Sequence, residues 1–255
     1  MVRKVKKYQF LFEELVKRDF KKKYKGTILG VLWSLLAPLL NVLVLALVFT
    51  AVFKRDQEHF IIYIFSGTLV MSFYTECTQG CMRALIANSA IFTKINVPKY
   101  LFMVSKTIQA FINFSLTLIL FFVFCAIDKI QFGLHMLTLI FPVCTLLVFN
   151  FGVGMILSAL YVFFKDVEYL YGVFLTLLNY VSAIFYPITI IPEKFRWLFL
   201  LNPVYDYINY FRVVVIDGAI PSINHHVLCF GYAFLLLAIG CVVYKKCDHE
   251  FLYYV

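Results

Sequence analysis

The chain is a succession of long apolar segments separated by short charged ones. A helix rises about 1.5 Å per residue, so about 20 apolar residues cross a hydrocarbon core of about 30 Å. The pattern predicts a single all-α integral membrane domain over residues 1–255 with about six transmembrane helices. The predicted spans are residues 27–53, 60–86, 101–127, 134–164, 169–186 and 227–243.

Two of these spans carry residues that disturb a regular helix. The first is longer than a bilayer requires, so we expect it to tilt or to kink at Pro38. The fourth contains Pro142, Gly152 and Gly154, which predict a bend or a close approach of a neighbouring helix.

Residues 187–221, between the last two spans, are half apolar and rich in aromatic residues. Pro187, Pro192, Pro203 and Gly218 interrupt this segment, so it cannot span the membrane as one helix. We expect short re-entrant helices that dip into the bilayer from one side, with protein covering their ends.

Before the first span, residues 5–25 have the periodicity of an amphipathic helix. The apolar positions recur at spacings of three and four and are Tyr8, Leu11, Phe12, Leu15, Val16 and Phe20. Such a helix lies in the membrane interface with its apolar face down. It serves either as an anchor or as a docking surface for a cytoplasmic partner, and the sequence leaves both open.

Composition excludes a soluble globule. Hydrophobic residues make up 63% of the chain and charged residues only 15%, against roughly 45–50% and 25% in soluble domains. A soluble fold of this size cannot bury that much apolar surface.

Charge placement favours a membrane over a nucleic acid as the partner of the basic residues. The net charge is +9, and ten of the 23 Lys and Arg residues precede residue 27, beside the first span. With the N-terminus inside, seventeen of the 23 lie on the cytoplasmic side. The positive-inside rule therefore predicts cytoplasmic N- and C-termini.

The sequence lacks the usual signatures of catalysis and metal binding. Neither a GxxxxGK[ST] phosphate loop nor a GxSxG motif is present, and the seven cysteines have no paired CxxC spacing. His225-His226 and Asp248-His249-Glu250 do not have metal-ligand spacing. We expect no catalytic residue, metal site or cofactor in this chain.

Glu76 and Arg83 are the main ionisable residues within a predicted span. They are seven residues apart and occupy nearly one helix face. Either they lie near the inner interface, paired or extended towards water, or they mark a functional site.

Four groups of motifs together cover nearly the whole chain and resemble one family. They are RDFKKKYK (18–25) with LGVLW (29–33) and Pro38-Leu39; Ser66-Gly67 with the loop at 88–99; FFKD (163–166); and IPEKFRW (191–197) with LNP (201–203) and Phe211-Arg212. In this order they resemble the membrane-spanning subunit of bacterial type-2 ABC exporters of cell-surface polysaccharide, such as O-antigen, teichoic acid or capsule-type glycans. The sequence departs from the family pattern at Glu76 and Arg83, where uncharged residues are usual.

The resemblance implies a homodimer in the bacterial cytoplasmic membrane that binds two copies of a cytoplasmic ATPase subunit, which would hold ATP and Mg. It implies that residues 187–221 form an outer gate and that the loop after the second span contacts the ATPase. The implied ATPase-coupling residues are Asn88, Ile91, Lys94, Pro98 and Lys99, and the implied outer-gate residues are Pro192, Trp197, Asn202 and Pro203.

The substrate implied by the resemblance is a glycan linked to a lipid diphosphate. Its negative head group would be attracted by basic residues of the entry helix, or these residues would only anchor that helix. The candidate head-group residues are Arg18, Lys21, Lys22, Lys23 and Lys25. Aromatic residues would either guide sugar rings or form interfacial belts, and the candidates are Trp33, Phe73, Tyr74, Tyr180 and Tyr186.

Two other functions are compatible with the sequence. One is a type-2 ABC permease for drugs or lipids. The other is an ion-coupled secondary transporter or channel, which needs no ATPase partner.

Overall fold

A computed structural model describes residues 2–48 and 59–254 of the chain, and within them the secondary structure is entirely helical. Three short 3-10 turns precede α2, α6 and α8, at Gly30–Leu32, Leu134–Leu139 and Ile188–Ile190. The helices in chain order are α1 (Val2–Tyr24), α2 (Trp33–Leu47), α3 (Phe60–Ala87), α4 (Ser89–Phe92), α5 (Tyr100–Ile127), α6 (Ile140–Phe163), α7 (Val167–Val181), α8 (Glu193–Leu200), α9 (Pro203–Val215), α10 (Ile223–Cys247) and α11 (Phe251–Tyr254).

Within the described ranges, four helical segments are long and apolar enough to cross a membrane. They are α3, α5, α10 and the continuous stretch Leu134–Phe163 that ends in α6. With the shorter apolar helices α2 and α7, the described part of the chain contains six apolar helices. The prediction of an all-α integral membrane protein is confirmed.

The ends of two helices differ from the predicted spans because of local backbone geometry. Gly30 has φ +54°, and α2 begins only at Trp33 instead of residue 27. Ala183 has φ +50°, and α7 ends at Val181 instead of residue 186. A left-handed residue cannot continue a right-handed helix, so the chain turns at both places. Residues 49–53 of the first predicted span and the charged residues 54–58 lie outside the described ranges.

The other helices begin or end within a few residues of their predicted spans. In the fourth span, residues 134–139 form a 3-10 turn, and Pro142 lies in the first turn of α6. The last helix, α10, begins at Ile223, four residues before the predicted span. Its extra first turn contains His225 and His226. Because these residues are polar, the hydrophobic pattern did not include this turn in the predicted span.

Helix α3 is the centre of the bundle. It packs against α5 and α6 along its length, and against α2 and α9 on other sides. In its most apolar stretch, 72% of the residues are buried, compared with 17% for α10 at the edge of the bundle. A central helix can carry polar residues in a membrane because neighbouring helices cover them.

Helices α6 and α10 approach each other closely at two glycines. A Cβ added to Gly240 would lie 2.7 Å from the carbonyl oxygen of Gly152, and one added to Gly152 would lie 2.5 Å from the backbone nitrogen of Leu237. Small residues allow such backbone contact between membrane helices. The predicted close approach at Gly152 is therefore present, with Gly240 as its partner.

The α8–α9 segment is held by a helix cap and by one buried cation. Asn202 accepts hydrogen bonds from the backbone N–H groups of Val204 and Tyr205, which caps α9, and its amide donates to Ser182 Oγ at 2.9 Å. The buried guanidinium of Arg212 donates to the carbonyl oxygens of Ala183 (2.9 Å), Ile184 and Tyr63. These bonds fix the chain reversal after α7 against the start of α3.

Helix α1 lies across the opposite end of the bundle from α9 and contacts α5. Leu15 is buried in the core, and Leu11 packs against it. Part of the predicted apolar face of α1 therefore contacts the bundle itself rather than lipid.

We predict that Gly240→Ala destabilises the protein because the new methyl group collides with the backbone of α6. Overpacking of this kind costs about 1–3 kcal/mol. The measurement is the melting temperature of the purified protein in detergent. Gly231→Ala is the matched control, since Gly231 lies on the same helix and an added Cβ has nothing within 4 Å. Equal melting temperatures for the two variants would show that the α6–α10 contact is loose.

Candidate functional site

The end of the bundle that carries α1 is built around the buried carboxylate of Asp19. Asp19 is only 4% exposed and pairs with Arg18 at 2.8 Å and with Lys106 of α5 at 2.9 Å. The amide of Gln109, also on α5, donates to the backbone oxygen of Asp19. The pair with Lys106 joins α1 to α5, because breaking it leaves a buried carboxylate that is poorly solvated.

Asn88 connects this carboxylate group to the loop after α3. Its side-chain oxygen accepts a 2.7 Å hydrogen bond from Arg18, and its amide donates to Ala84 O at the end of α3. The short helix α4 follows directly. Ile91 of α4 is half-buried against the core, and Lys94 beyond it is exposed. We call Arg18, Asp19, Asn88, Lys106 and Gln109 the Asp19 network.

The far end of the same loop is attached to the C-terminal tail. Lys99, whose side chain is 11% exposed, bonds the backbone oxygen and the carboxylate of Asp248 and lies over the ring of Phe251. Pro98 is half-buried beside it. Of the five predicted coupling residues, Lys94 is thus the exposed charge, while Asn88 and Lys99 are held by contacts within the chain.

Both ionisable residues of the second predicted span, Glu76 and Arg83, have partners. Arg83 pairs with Glu168 of α7 at 2.6 Å, and Glu168 accepts a hydrogen bond from the Tyr161 hydroxyl. Glu76 lies deeper in the bundle, and its carboxylate accepts a 2.5 Å hydrogen bond from the amide of Asn113 on α5.

The basic residues proposed for head-group binding differ in their surroundings. Arg18 is engaged in the Asp19 network, whereas Lys21 and Lys25 are exposed. The side chains of Lys22 and Lys23 lie outside the described part of the chain.

The five aromatic candidates do not form one group. Trp33 and Phe73 line the same cavity, and Phe73 stacks on Phe114 with ring centroids 4.5 Å apart. Tyr74 is buried in the core, where it stacks on Phe149. Tyr180 is exposed on α7, and Tyr186 donates a hydrogen bond to its backbone oxygen.

Three cavities meet at Glu76. One of about 460 Å³ lies between α2, α3 and α5, one of about 650 Å³ between α2, α3 and α7, and one of about 250 Å³ between α3 and α5 towards Arg83. The first is lined by Thr27, Trp33, Ser34, Ala37, Pro38, Asn41, Leu69, Ser72, Phe73, Glu76, Asn113, Phe114 and Thr117. Its mixture of aromatic and hydrogen-bonding side chains is typical of small-molecule sites.

The predicted gate residues lie around α8 and the start of α9, at the opposite end from the Asp19 network. Pro192 precedes α8 and Trp197 lies on it, and both are exposed. Asn202 is the buried cap of α9, and Pro203 is its first residue. Asp206 of α9 shares a 2.5 Å hydrogen bond with His225 of α10, which ties the segment to the last span.

Within the described ranges no three His, Cys, Asp or Glu side chains are grouped as a metal site would require.

Sequence reasoning missed the partners in these contacts. Asp19, Lys106 and Gln109 were not proposed as site residues, nor were Asp248 and Glu168. Asp19 lies within the RDFKKKYK motif, where its negative charge among five basic residues is a signal. The others lie 85 to 149 residues from their partners, and no local pattern relates them.

Comparison with known proteins agrees with this architecture. The sequence profile of the ABC-2 type transporter family matches residues 11–216, from α1 to the end of α9. Among curated proteins, the chain is similar to an O-antigen export system permease protein RfbA of Klebsiella pneumoniae, 26% identical over 249 residues that cover 95% of each chain. It is also similar to a protein of the same name from Myxococcus xanthus, 28% identical over 255 residues that cover 98% of this chain and 97% of that protein.

The family match covers most of the chain, including α1, the loop with α4 and the α8–α9 segment. The chain therefore belongs to the ABC-2 type transporter family of membrane proteins.

Proposed function

We propose that the chain is the permease subunit of an ATP-driven exporter that moves a lipid-linked polysaccharide across the bacterial cytoplasmic membrane. The observation that carries this proposal is the nearly full-length similarity to two permeases named for O-antigen export. Family membership alone would equally fit a permease for drugs or lipids. The names of the relatives favour a polysaccharide, and an ion-coupled secondary transporter has no support from the family.

The proposed partners are a second copy of this chain and two cytoplasmic ATPase subunits, which would hold ATP and Mg. The chain's own sequence has no phosphate loop, so the energy has to come from another polypeptide. The second copy is supported by the cavity between α2 and α7, beside which both helices expose apolar side chains, among them Leu43, Val44, Val173 and Leu177. In a dimer, two such clefts would face each other and enclose a path.

The proposed orientation has the Asp19 network and both termini in the cytoplasm and α8 with α9 at the outer surface. It rests on the distribution of Lys and Arg. In this orientation Lys94 and α4 face the ATPase. Pro192, Trp197, Asn202 and Pro203 belong to an outer gate.

The proposed coupling runs from α4 through the Asp19 network. A displacement of α4 is transmitted to Arg18 through Asn88. It then reaches α5 through the contacts of Asp19 with Lys106 and Gln109. Lys99 couples the same loop to the tail through Asp248. Contacts of this type transmit displacement because their partners cannot separate without exposing charge in a poorly solvated place.

We propose that only basic residues whose side chains are exposed to the membrane surface contact the lipid head group. Among the described side chains, Lys21 and Lys25 are exposed beside the first span and can attract a lipid diphosphate. Arg18 pairs with Asp19 and donates a hydrogen bond to Asn88, so we assign it to the coupling path.

The test of the function is deletion of the gene in its host. We expect loss of the cell-surface polysaccharide, accumulation of lipid-linked glycan in the cytoplasmic leaflet, and recovery on complementation. The purified protein should carry an ATPase subunit with it. Polysaccharide that still reaches the surface without this chain, or export that survives loss of the ATPase and stops when ion gradients are dissipated, would overturn the proposal.

We predict that Lys94→Glu weakens association with the ATPase subunit. The substitution reverses an exposed charge beside α4 and touches no packed side chain. Co-purification of the ATPase with the tagged permease measures the effect. Lys129→Glu is the control, because Lys129 is an exposed lysine at the opposite end of the bundle. If both variants retain the ATPase equally, α4 is not the contact.

We predict that Asp19→Asn uncouples ATP hydrolysis from export. Arg18 and Lys106 lose their shared carboxylate, whereas the surface that faces the ATPase is unchanged. Export should fall several-fold while the ATPase still co-purifies, and the melting temperature should drop. Glu14→Gln is the control, since Glu14 lies on the same helix and its pair with Lys17 is exposed; such pairs contribute about 0–1 kcal/mol. Normal export in Asp19→Asn would remove the network from the coupling path.

A further inference from the structure

A polar stripe runs along α3 into the bundle. Thr68, Ser72, Glu76, Gln79 and Arg83 recur at spacings of three and four, so they share one face of the helix. All of them are exposed or half-buried, although α3 is otherwise the most enclosed of the long helices. Polar side chains left open inside a membrane bundle indicate a water-filled path or a ligand site.

The cleft between α2, α3 and α5 is the part of this path with the most selective lining. We use the name Glu76 cleft for the cavity of about 460 Å³ lined by Trp33, Asn41, Ser72, Glu76, Asn113 and Thr117, among others. Its volume is in the range of small-molecule sites. Trp33 is 40% exposed and Ser72 is exposed, so an aromatic surface and a hydroxyl are both accessible.

The hydrogen-bonding chemistry of the cleft suits hydroxyl groups. The oxygens of the Glu76 carboxylate are hydrogen-bond acceptors, and the side-chain amide of Asn113 donates to one of them at 2.5 Å. Asn41, Ser72 and Thr117 add further acceptors and donors along the same wall. A sugar residue presents several hydroxyls at its edge and C–H groups on its ring face, which match the polar wall and the indole of Trp33 respectively.

Other ligands fit this lining less well. An acyl chain would desolvate Glu76 without giving it a hydrogen bond. A phosphate would meet the negative charge of the same carboxylate. A cationic ligand would lie near Arg83 and Lys106, which line the adjoining cavity with Glu76. A neutral sugar avoids all three costs.

We propose that the Glu76 cleft is a saccharide-binding subsite, in which Glu76 and Asn113 hydrogen-bond the hydroxyls of a neutral sugar residue and Trp33 packs against its ring. The inference rests on the proposed export function, since it names the part of the exported molecule that this chain recognises. Recognition here selects among glycans, because sugars with different hydroxyl arrangements satisfy Glu76 and Asn113 to different degrees.

Binding can be measured with the tryptophan of the cleft itself. The chain has two tryptophans, so a Trp197→Phe background, used for binding only, leaves Trp33 as the sole reporter. The full-length protein in lipid nanodiscs is titrated with the neutral oligosaccharide released from the surface polysaccharide of the host, and with dextran for comparison. We expect a saturable change in Trp33 fluorescence with the host oligosaccharide and a weaker one with dextran.

Three variants test the assigned contacts. Glu76→Gln and Asn113→Ala should each raise the dissociation constant about ten-fold or more, as expected for loss of a hydrogen bond to a charged group. Ser72→Leu should abolish binding by filling the cleft, and it leaves the fold intact because Ser72 is exposed there. Ser115→Ala is the control, since the Ser115 hydroxyl bonds only its own helix, at Phe111 O.

The outcomes separate this inference from the function on which it rests. If deletion of the gene leaves surface polysaccharide unchanged, the export function fails. If the parent chain restores export and the Glu76, Asn113 and Ser72 variants restore it equally, the function stands and the subsite is wrong. The subsite is also wrong if these variants bind the host oligosaccharide as the parent does, or if no saturable binding occurs. Reduced export with weakened binding supports the subsite.

Discussion

A polar helix face inside a membrane must be kept away from lipid, by neighbouring helices or by the cavities between them, and α3 imposes this constraint on the whole bundle. Its backbone is satisfied within the helix, but Glu76 and Arg83 cannot face lipid without a large cost. The helices α2, α5, α6 and α9 surround α3, and its polar side chains line the cavities between these helices instead of facing lipid. The arrangement of the other helices follows: α10 closes the outside of α6 through glycine contacts, and α7 remains at the edge with its apolar face exposed.

The same constraint explains why the charged contacts are concentrated at the ends of helices. Asp19 with Lys106, Arg83 with Glu168, and Lys99 with Asp248 all lie at the end of the bundle that carries α1. Each pair joins two segments that are distant in sequence, so together they turn the separate helix ends into one connected layer. In the proposed coupling, a displacement of the loop with α4 is transmitted to α5 through the Asp19 network and to the tail through Lys99 and Asp248.

Sequence patterns predicted where most of the helices lie, but they did not predict which residues of different helices contact each other. The hydrophobic runs predicted α5 and α3 to within a residue or so, because length and apolar composition are what a bilayer selects. They misjudged the start of α2 and the end of α7, where Gly30 and Ala183 take left-handed conformations that no hydrophobic pattern contains. The amphipathic pattern predicted the face of α1 around Leu15, yet not that this face contacts the bundle. Lys99 and Arg18 stood out as basic residues, but their partners Asp248 and Asn88 are related to them only through the fold.

The position of Glu76 relates substrate binding, as proposed for the Glu76 cleft, to substrate movement through the bundle. A carboxylate deep in a bundle is a costly choice if it serves only as a structural partner for Asn113, since two uncharged residues could fill that place at lower cost. Its position where three cavities meet means that a ligand reaching it also reaches the cavity between α2 and α7 and the one near Arg83. Conduction requires binding that is favourable enough to admit the substrate and weak enough to release it. In the proposed subsite, Glu76 and Asn113 beside an accessible indole would meet that requirement, because they offer each sugar residue only a few hydrogen bonds. Selectivity at such a point would act on every residue of a glycan as it passes, so even a modest preference at Glu76 would accumulate along the chain.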